Sequence, residues 1–152
     1  MVRILLGLEG VNPDYLNNDA LTPLLYATQN GCEGMVKILL GRGEVNPDGL
    51  GSYCRKPLSW AAMYGHAGVV KMLLGREDVN PDKLDNGGLT PLSEAALFGQ
   101  EEVVKILCEQ EEVNPDPPDN DDRATLSMTT GWGCERVVAW LHSHKTVTPS
   151  TI

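Results

Sequence analysis

The chain has 152 residues, and its 12 Lys and Arg residues against 21 Asp and Glu residues give a formal net charge of −9 at pH 7. This acidic balance argues against nucleic acid and against anionic membrane surfaces as partners, because both attract clustered basic side chains. No apolar run approaches the roughly 18 residues that a membrane-spanning helix needs, and residues 1–8 are too short an apolar stretch for a signal peptide.

One tetrapeptide, Val-Asn-Pro-Asp, occurs four times along the chain. It begins at Val11, Val45, Val79 and Val113, with a constant spacing of 34 residues. A fixed period of this length predicts one supersecondary unit copied in tandem, with successive copies stacked side by side. Such a stack usually offers a surface to a partner rather than a pocket to a substrate, so the period favours binding over catalysis.

The same period predicts where each unit begins and ends. Residues 1–7 align with residues 35–41, the second half of a later copy. Because this half-unit leaves Ile4 and Leu5 poorly covered, we expect that the N-terminal end can self-associate. The predicted organisation is a partial unit with only a second helix (1–10), three complete units (11–44, 45–78 and 79–112), a degenerate C-terminal capping unit (113–144) and a tail (145–152).

The third complete unit shows how each copy is expected to fold. Thr90 can cap a helix with its hydroxyl, and Pro91 suits the first helical position, where an N–H is not needed. Gly99 is expected to end this short helix in a left-handed turn, and a second helix is expected to begin near Glu101. The segments between units are rich in Pro, Asp and Gly, which predicts turns. Each unit is thus predicted as turn, short helix, glycine turn and longer helix.

The short-helix motif resembles that of the ankyrin repeat. The family pattern Thr-Pro-Leu-His-x-Ala appears as Thr22-Pro-Leu-Leu-Tyr-Ala27, Lys56-Pro-Leu-Ser-Trp-Ala61 and Thr90-Pro-Leu-Ser-Glu-Ala95. The period of 34 departs from the family value of about 33, and the family His is replaced by Leu25, Ser59, Ser93 and Ser127. With its Val-Asn-Pro-Asp turns, this variant looks like the ankyrin arrays of large fungal proteins. A tetratricopeptide array has a similar period, but it is helical throughout, and the turns argue against it.

Catalytic and cofactor motifs are not recognisable in the sequence. Neither a Gly-x-Gly-x-x-Gly loop nor a Walker-type loop is present. His66 follows a glycine as in the Gly-His turn of the family, whereas Cys134, His142 and His144 make a poor metal site. We therefore expect no enzyme activity, no cofactor and no metal. The four cysteines form no Cys-x-x-Cys pair. Cys32 and Cys134 hold equivalent positions three units apart, which is too far for a disulfide in a stack of helices, and this favours reduced thiols and an intracellular, cytoplasmic location.

The resemblance further implies that a protein or peptide of unknown identity binds the concave side of the array. That side is built from the turn tips and from the exposed end of each first helix. Carried over position by position, the family pattern selects turn residues before each Thr-Pro-Leu and the two residues before each helix-ending glycine. The predicted contact residues are Asp19, Leu21, Gln29, Asn30, Tyr53, Arg55, Met63, Tyr64, Asn86, Leu89, Leu97, Phe98, Asp121, Arg123 and Trp132.

One column of this set is rich in aromatic side chains. Asn30, Tyr64, Phe98 and Trp132 recur at the 34-residue spacing, so a regular stack would line them along one face. Aromatic side chains are favoured at interaction hot spots, although these rings could instead pack under the adjoining turns. Tyr26 and Trp60 each precede the Ala of the motif, and the resemblance places them in the core.

Taken together, the resemblance implies an all-α ankyrin-repeat solenoid of stacked helix-turn-helix units joined by β-turn (finger) loops. The expected function is a non-catalytic protein–protein interaction module that uses its concave surface. The alternative is a structural spacer or a self-associating segment of a larger multidomain ankyrin protein.

Overall fold

The computed structural model describes residues 12–114 and positions 139, 142 and 143. The described residues form six α-helices and no β-strand. The helices form three pairs: α1 (Pro23–Gln29) with α2 (Glu33–Leu40), α3 (Pro57–Met63) with α4 (Ala67–Leu74), and α5 (Pro91–Leu97) with α6 (Glu101–Cys108). The predicted partial unit, the tail and nearly all of the predicted capping unit lie outside the described residues, so self-association through residues 1–10 stays a prediction.

The short first helices of the pairs start as the sequence predicts. The Thr90 hydroxyl accepts a hydrogen bond from the Ser93 N–H at 3.2 Å, and Thr22 caps α1 in the same way. In the middle pair Lys56 stands at this position, where it makes no capping hydrogen bond and pairs with the Asp48 carboxylate. A proline follows in the first turn of all three helices, where its missing N–H leaves no hydrogen bond unmade.

A tight glycine turn joins the two helices of each pair. These glycines are Gly31, Gly65 and Gly99, with φ of 66°, 76° and 68°. The residue after the glycine reaches back to the preceding unit: His66 Nε2 donates to the Gln29 carbonyl and Gln100 Nε2 to the Met63 carbonyl, both at 3.0 Å. A Cβ at Gly31 would lie 2.5 Å from His66 Nδ1, so the turn needs glycine for its φ and for the neighbouring side chain.

Successive pairs stack in register, so the core runs through the whole described array. First helices pack on first helices (α1 on α3, α3 on α5), and second helices pack on second helices (α2 on α4, α4 on α6). The small side chains of Ala61 and Ala62 are fully buried, which lets the first helices approach closely. Each second helix adds a fully buried Val and Leu to one continuous cluster: Val36, Leu39, Val70, Leu73, Val104 and Leu107. Each such leucine contributes roughly 1.5–3 kcal/mol by burial.

The repeated Val-Asn-Pro-Asp turn has a structural role in this stack. Its valines belong to the core at Val45, Val79 and Val113. The acidic residue of the first and third copies reaches the next turn: the Asp14 carboxylate accepts the Asn46 N–H at 3.3 Å, and Asp82 Oδ2 accepts the Asn114 N–H at 2.9 Å. These bonds place successive turns along one edge of the stack, as the period predicts.

Candidate functional site

Three hairpin-like loops, here called fingers, precede the first helices. They span residues 17–21, 51–55 and 85–89. In each finger the N–H of the first residue donates to the carbonyl of the fifth, at 2.9–3.0 Å. Asn17 and Asp85 brace the outer two fingers, because the Oδ1 of each accepts the N–H groups two and four residues further along. These side chains fix the shape of the two outer tips.

The middle finger is built differently, because Gly51 offers no side-chain acceptor. A Cβ at Gly51 would lie 2.7 Å from Leu25 Cδ1, so a larger residue does not fit. All three fingers have a left-handed residue at the fourth position (Ala20, Cys54 and Gly88), but only the middle finger also places its third residue there, Tyr53 with φ of 62°, which costs about 1–2 kcal/mol. The result is a tyrosine side chain that is 71% exposed at the tip.

A groove of about 400 Å³ lies between the fingers and first helices of the first two units. Its lining residues are Asp19, Leu21, Tyr26, Gln29, Asn30, Tyr53 and Trp60. All but Tyr26 and Trp60 belong to the predicted contact set. The prediction that Trp60 belongs to the core is right, since it is 7% exposed, but for Tyr26 it is wrong, since that side chain is 52% exposed.

Arg55 lies over Trp60, whereas the equivalent residue beside Tyr26 is Leu21. The Arg55 guanidinium lies 5.4 Å from the Trp60 ring centroid and 5.8 Å from that of Tyr53. The same Arg55 makes ion pairs with two carboxylates of the third unit, at 2.8 Å from Nε to Glu94 Oε1 and 3.4 Å to Asp85 Oδ2. Arg55 was predicted to contact a partner, and the structure shows its charge matched within the chain.

Glu94 is a fully buried carboxylate beneath this cluster. Burial raises its pKa to about 7; the attraction of Arg55 opposes this rise, and the neighbouring Asp85 adds to it. The carboxyl is therefore divided between its charged and neutral forms near neutral pH. Its protonation decides how strongly it holds Arg55.

Sequence reasoning missed Glu94, although a signal exists in the repeat pattern. The equivalent position carries Tyr26 and Trp60 in the two preceding units, so an acid there breaks the column. The equivalents of Arg55 in the first and third complete units are both leucine. An acid and a base thus replace the uncharged residues that other units carry at these two repeat positions. Because the two replacements fall in adjacent units, they indicate an ion pair between those units.

Two side chains of the predicted aromatic column, Tyr64 and Phe98, are exposed and are here called the aromatic row. Tyr64 and Phe98 are 44% and 53% exposed, so the adjoining turns do not bury them. The Tyr64 ring lies parallel to the Trp60 ring at 5.9 Å between centroids and lies 6.2 Å from that of His66. Through Trp60, the row adjoins the groove.

The remaining predicted residues hold less prominent places. Asn30 is exposed and donates its side-chain amide to the Tyr26 carbonyl at 2.8 Å. The exposed Asn86 donates its N–H to the Tyr53 carbonyl at 3.3 Å, which links two fingers. Half-buried positions are Leu21, Gln29, Met63, Leu89 and Leu97. Asp121, Arg123 and Trp132 lie outside the described residues.

Stacked helix pairs, glycine turns and fingers at a constant period agree with a comparison against protein families. The family model described as ankyrin repeats (3 copies) matches residues 1–85 and residues 58–150. The chain belongs to the ankyrin repeat family. Its fold is thus the predicted all-α repeat solenoid, and ankyrin repeats are generally protein–protein interaction modules, typically without catalysis. A search of curated proteins finds no match to the chain.

The described residues of this ankyrin array hold no metal-binding cluster and no disulfide. Among those residues, no group of three or more His, Cys, Asp or Glu side chains could hold a metal ion. Cys32, Cys54 and Cys108 are free, and burial raises the pKa of the Cys108 thiol to about 12, so this thiol stays protonated and unreactive. Of the helices described, none is long and apolar enough to cross a membrane.

Proposed function

We propose that this ankyrin array is a non-catalytic module that binds a protein or an extended peptide across its concave surface, made by the finger tips and the ends of the first helices. The single observation that carries the proposal is the groove of the first two units together with the exposed aromatic row beside it. Five predicted contact residues line the groove, and two more form the row.

The aromatic side chains of this surface support a binding role. Tyr26, Tyr53, Tyr64 and Phe98 all keep a large exposed fraction. Large exposed aromatic surface is unfavourable in water unless another molecule covers it, and aromatic residues are enriched among hot spots. A partner that covers these rings would gain most of its binding energy from a few of them.

Preorganisation of the surface also supports the proposal. The outer fingers are braced by Asn17 and Asp85, and the middle finger is tied to the third by the Asn86–Tyr53 hydrogen bond. A partner that docks on a surface held in this way loses little entropy in ordering it. The strained backbone of Tyr53 fits the tendency of such strain to occur at functional positions.

The kind of partner and the cellular location in which it binds are also part of the proposed function. The net charge of −9 favours a protein over nucleic acid, and the free cysteines favour an intracellular, cytoplasmic location. We also propose that the Val-Asn-Pro-Asp turns are of the kind found in fungal ankyrin arrays. Imaging of the tagged protein in its source cells checks the location, and a secreted protein would contradict it.

A peptide library displayed on phage, selected against the whole chain, tests the binding role. We expect selected peptides to lose at least roughly tenfold in affinity for the Tyr64→Ala, Phe98→Ala double variant, because hot-spot aromatics each contribute more than about 1 kcal/mol. Tyr15→Ala is the matched control, since Tyr15 is exposed but lies outside the groove and the row. If the control weakens binding as much as the double variant, the proposed surface is wrong.

A further inference from the structure

A space lies between the fingers and first helices of neighbouring units, and it is filled between the second and third units but open between the first and second. Between the second and third units, the Arg55 guanidinium fills it, over the Trp60 ring and against the carboxylates of Asp85 and Glu94. The residues 34 positions earlier at the equivalent space are Leu21, Tyr26, Gly51 and Trp60. Leu21 is shorter than arginine and has no charge, so nothing equivalent to the guanidinium covers Tyr26. The groove of about 400 Å³ lies at this place.

We propose that this groove receives the guanidinium of an arginine from a basic peptide segment of the partner, over the Tyr26 ring and beside Tyr53 and Asp19. This inference rests on the proposed function, because it names the chemistry that the same surface recognises. The partner's arginine would lie between the first and second units, in the position that Arg55 occupies between the second and third units.

Charge and chemistry both favour a cation in the groove. Asp19 is the one charged side chain among the described lining residues, and no Lys or Arg lines the groove. Arg55 is close, but its charge is matched by two carboxylates, so it does not repel a second cation strongly. Gln29 and Asn30 line the same space, and a side-chain amide carries an oxygen that can accept hydrogen bonds from a guanidinium. The net charge of −9 draws basic peptides to the whole surface.

Arginine is favoured over lysine for geometric reasons. A guanidinium is planar, stacks on aromatic rings and is more weakly hydrated than an ammonium group. The chain itself uses arginine over the equivalent ring. Tyr26 is 52% exposed, which leaves room for a planar group to lie against its ring.

Titration of the whole chain with short peptides, followed by two-dimensional NMR of the backbone amides, tests this assignment. The probes are Gly/Ser peptides of eleven residues with one central arginine, citrulline, lysine or norleucine. Citrulline keeps the planar shape and removes the charge, whereas norleucine keeps only the apolar chain. We expect the arginine peptide to shift the amides of Gln29, Asn30 and Tyr53 and to bind roughly two- to fivefold more tightly than the others.

Variants of the chain locate the effect. Tyr26→Ala and Asp19→Asn should each weaken the arginine peptide by roughly two- to fivefold, and Tyr15→Ala, outside the groove, should leave it unchanged. The same spectra show whether each variant keeps its fold. Unchanged affinity in both groove variants would overturn the inference.

The peptide series separates this inference from the broader proposal. Equal binding of the norleucine or citrulline peptide would overturn the choice of a cation and leave a peptide-binding surface. Equal binding of the lysine peptide would overturn the choice of a planar guanidinium. Shifts confined to the region of Phe98 would overturn the groove as the site and still support the concave surface. Absence of shifts with every peptide would overturn the inference, and the library selection would then decide on the proposed function independently.

Discussion

The carboxylate of Glu94 lies fully buried, with its Oε1 2.8 Å from the Nε of Arg55, across the boundary between the second and third units. Its other oxygen, Oε2, is buried without a hydrogen-bond partner among the described residues. A buried, half-satisfied carboxylate is favourable only when its charge is compensated or removed. The free energy of the interface between these two units therefore depends on Arg55 and on the pH.

The first prediction concerns stability and pH. The pKa of Glu94 is about 7 in the folded chain and ordinarily 4.5. Between these values the folded chain holds a proton that the unfolded chain has released, so the free energy of unfolding falls as the pH rises. This stabilisation is fully present below about pH 4.5 and is lost once the pH has risen through about 7, a change on the order of 3 kcal/mol.

Urea unfolding of the natural chain and of Glu94→Gln between pH 4 and pH 9 measures this change. The glutamine has no proton to release, so the difference between the two unfolding free energies should fall from pH 4.5 to pH 7 and then stay level. Other carboxylates titrate in both chains and cancel in the difference. A difference that is constant over this range would show that Glu94 titrates normally.

The second prediction concerns the ion pair itself. Arg55→Leu, which places the leucine of the first and third units at this position, leaves the buried Glu94 charge without its cation. At pH 9 we expect a loss of about 3–5 kcal/mol in the free energy of unfolding, and at pH 5 a smaller loss, because Glu94 is then protonated. Adding Glu94→Gln should recover more than half of the loss at pH 9.

Surface ion pairs provide the matched control for that cycle. Arg42 pairs with Glu44 at 3.2 Å, and the Glu44 side chain is largely exposed. Arg42→Leu should cost less than about 1 kcal/mol, with little dependence on pH. Equal losses for Arg42→Leu and Arg55→Leu would contradict the role assigned to burial.

The repeat period predicts most of the fold, but it does not predict the side-chain contacts between units. Thr90, Pro91 and Gly99 mark one helix by local rules, so its limits follow from the sequence, and the period carries them to the other units. Whether Tyr26 is covered depends on the length of the side chain that reaches it from the finger. The pattern of residues at repeat positions does not give this information. The pair of Arg55 and Glu94 joins positions 39 residues apart, and it becomes visible only when the units are stacked.

The third prediction concerns the strained tip of the middle finger. Tyr53 has a φ of 62°, a conformation that glycine adopts without penalty. Tyr53→Gly and Tyr53→Ala both remove the ring, but only glycine relieves the backbone, so the glycine variant should be more stable by about 1 kcal/mol. Thermal and urea unfolding of the two variants measure the difference.

Asp19 provides the control for this comparison, since it holds the same place in the first finger without a positive φ. Asp19→Gly should gain nothing over Asp19→Ala, because no strain is relieved there and glycine adds entropy to the unfolded chain. Should both positions respond alike, the difference at Tyr53 would not report backbone strain.

The last prediction concerns the side chains that tie each glycine turn to the preceding unit. His66 donates from Nε2 to the Gln29 carbonyl, and Gln100 makes the equivalent bond to the Met63 carbonyl in the next unit. The two side chains thus make the same contact in successive units. His66→Gln should stay within about 0.5 kcal/mol of the natural chain, whereas His66→Ala should lose about 1 kcal/mol, because the Gln29 carbonyl loses its donor. Urea unfolding at pH 8 makes the comparison, and a loss for His66→Gln as large as that for His66→Ala would show that the imidazole ring acts through something other than this hydrogen bond.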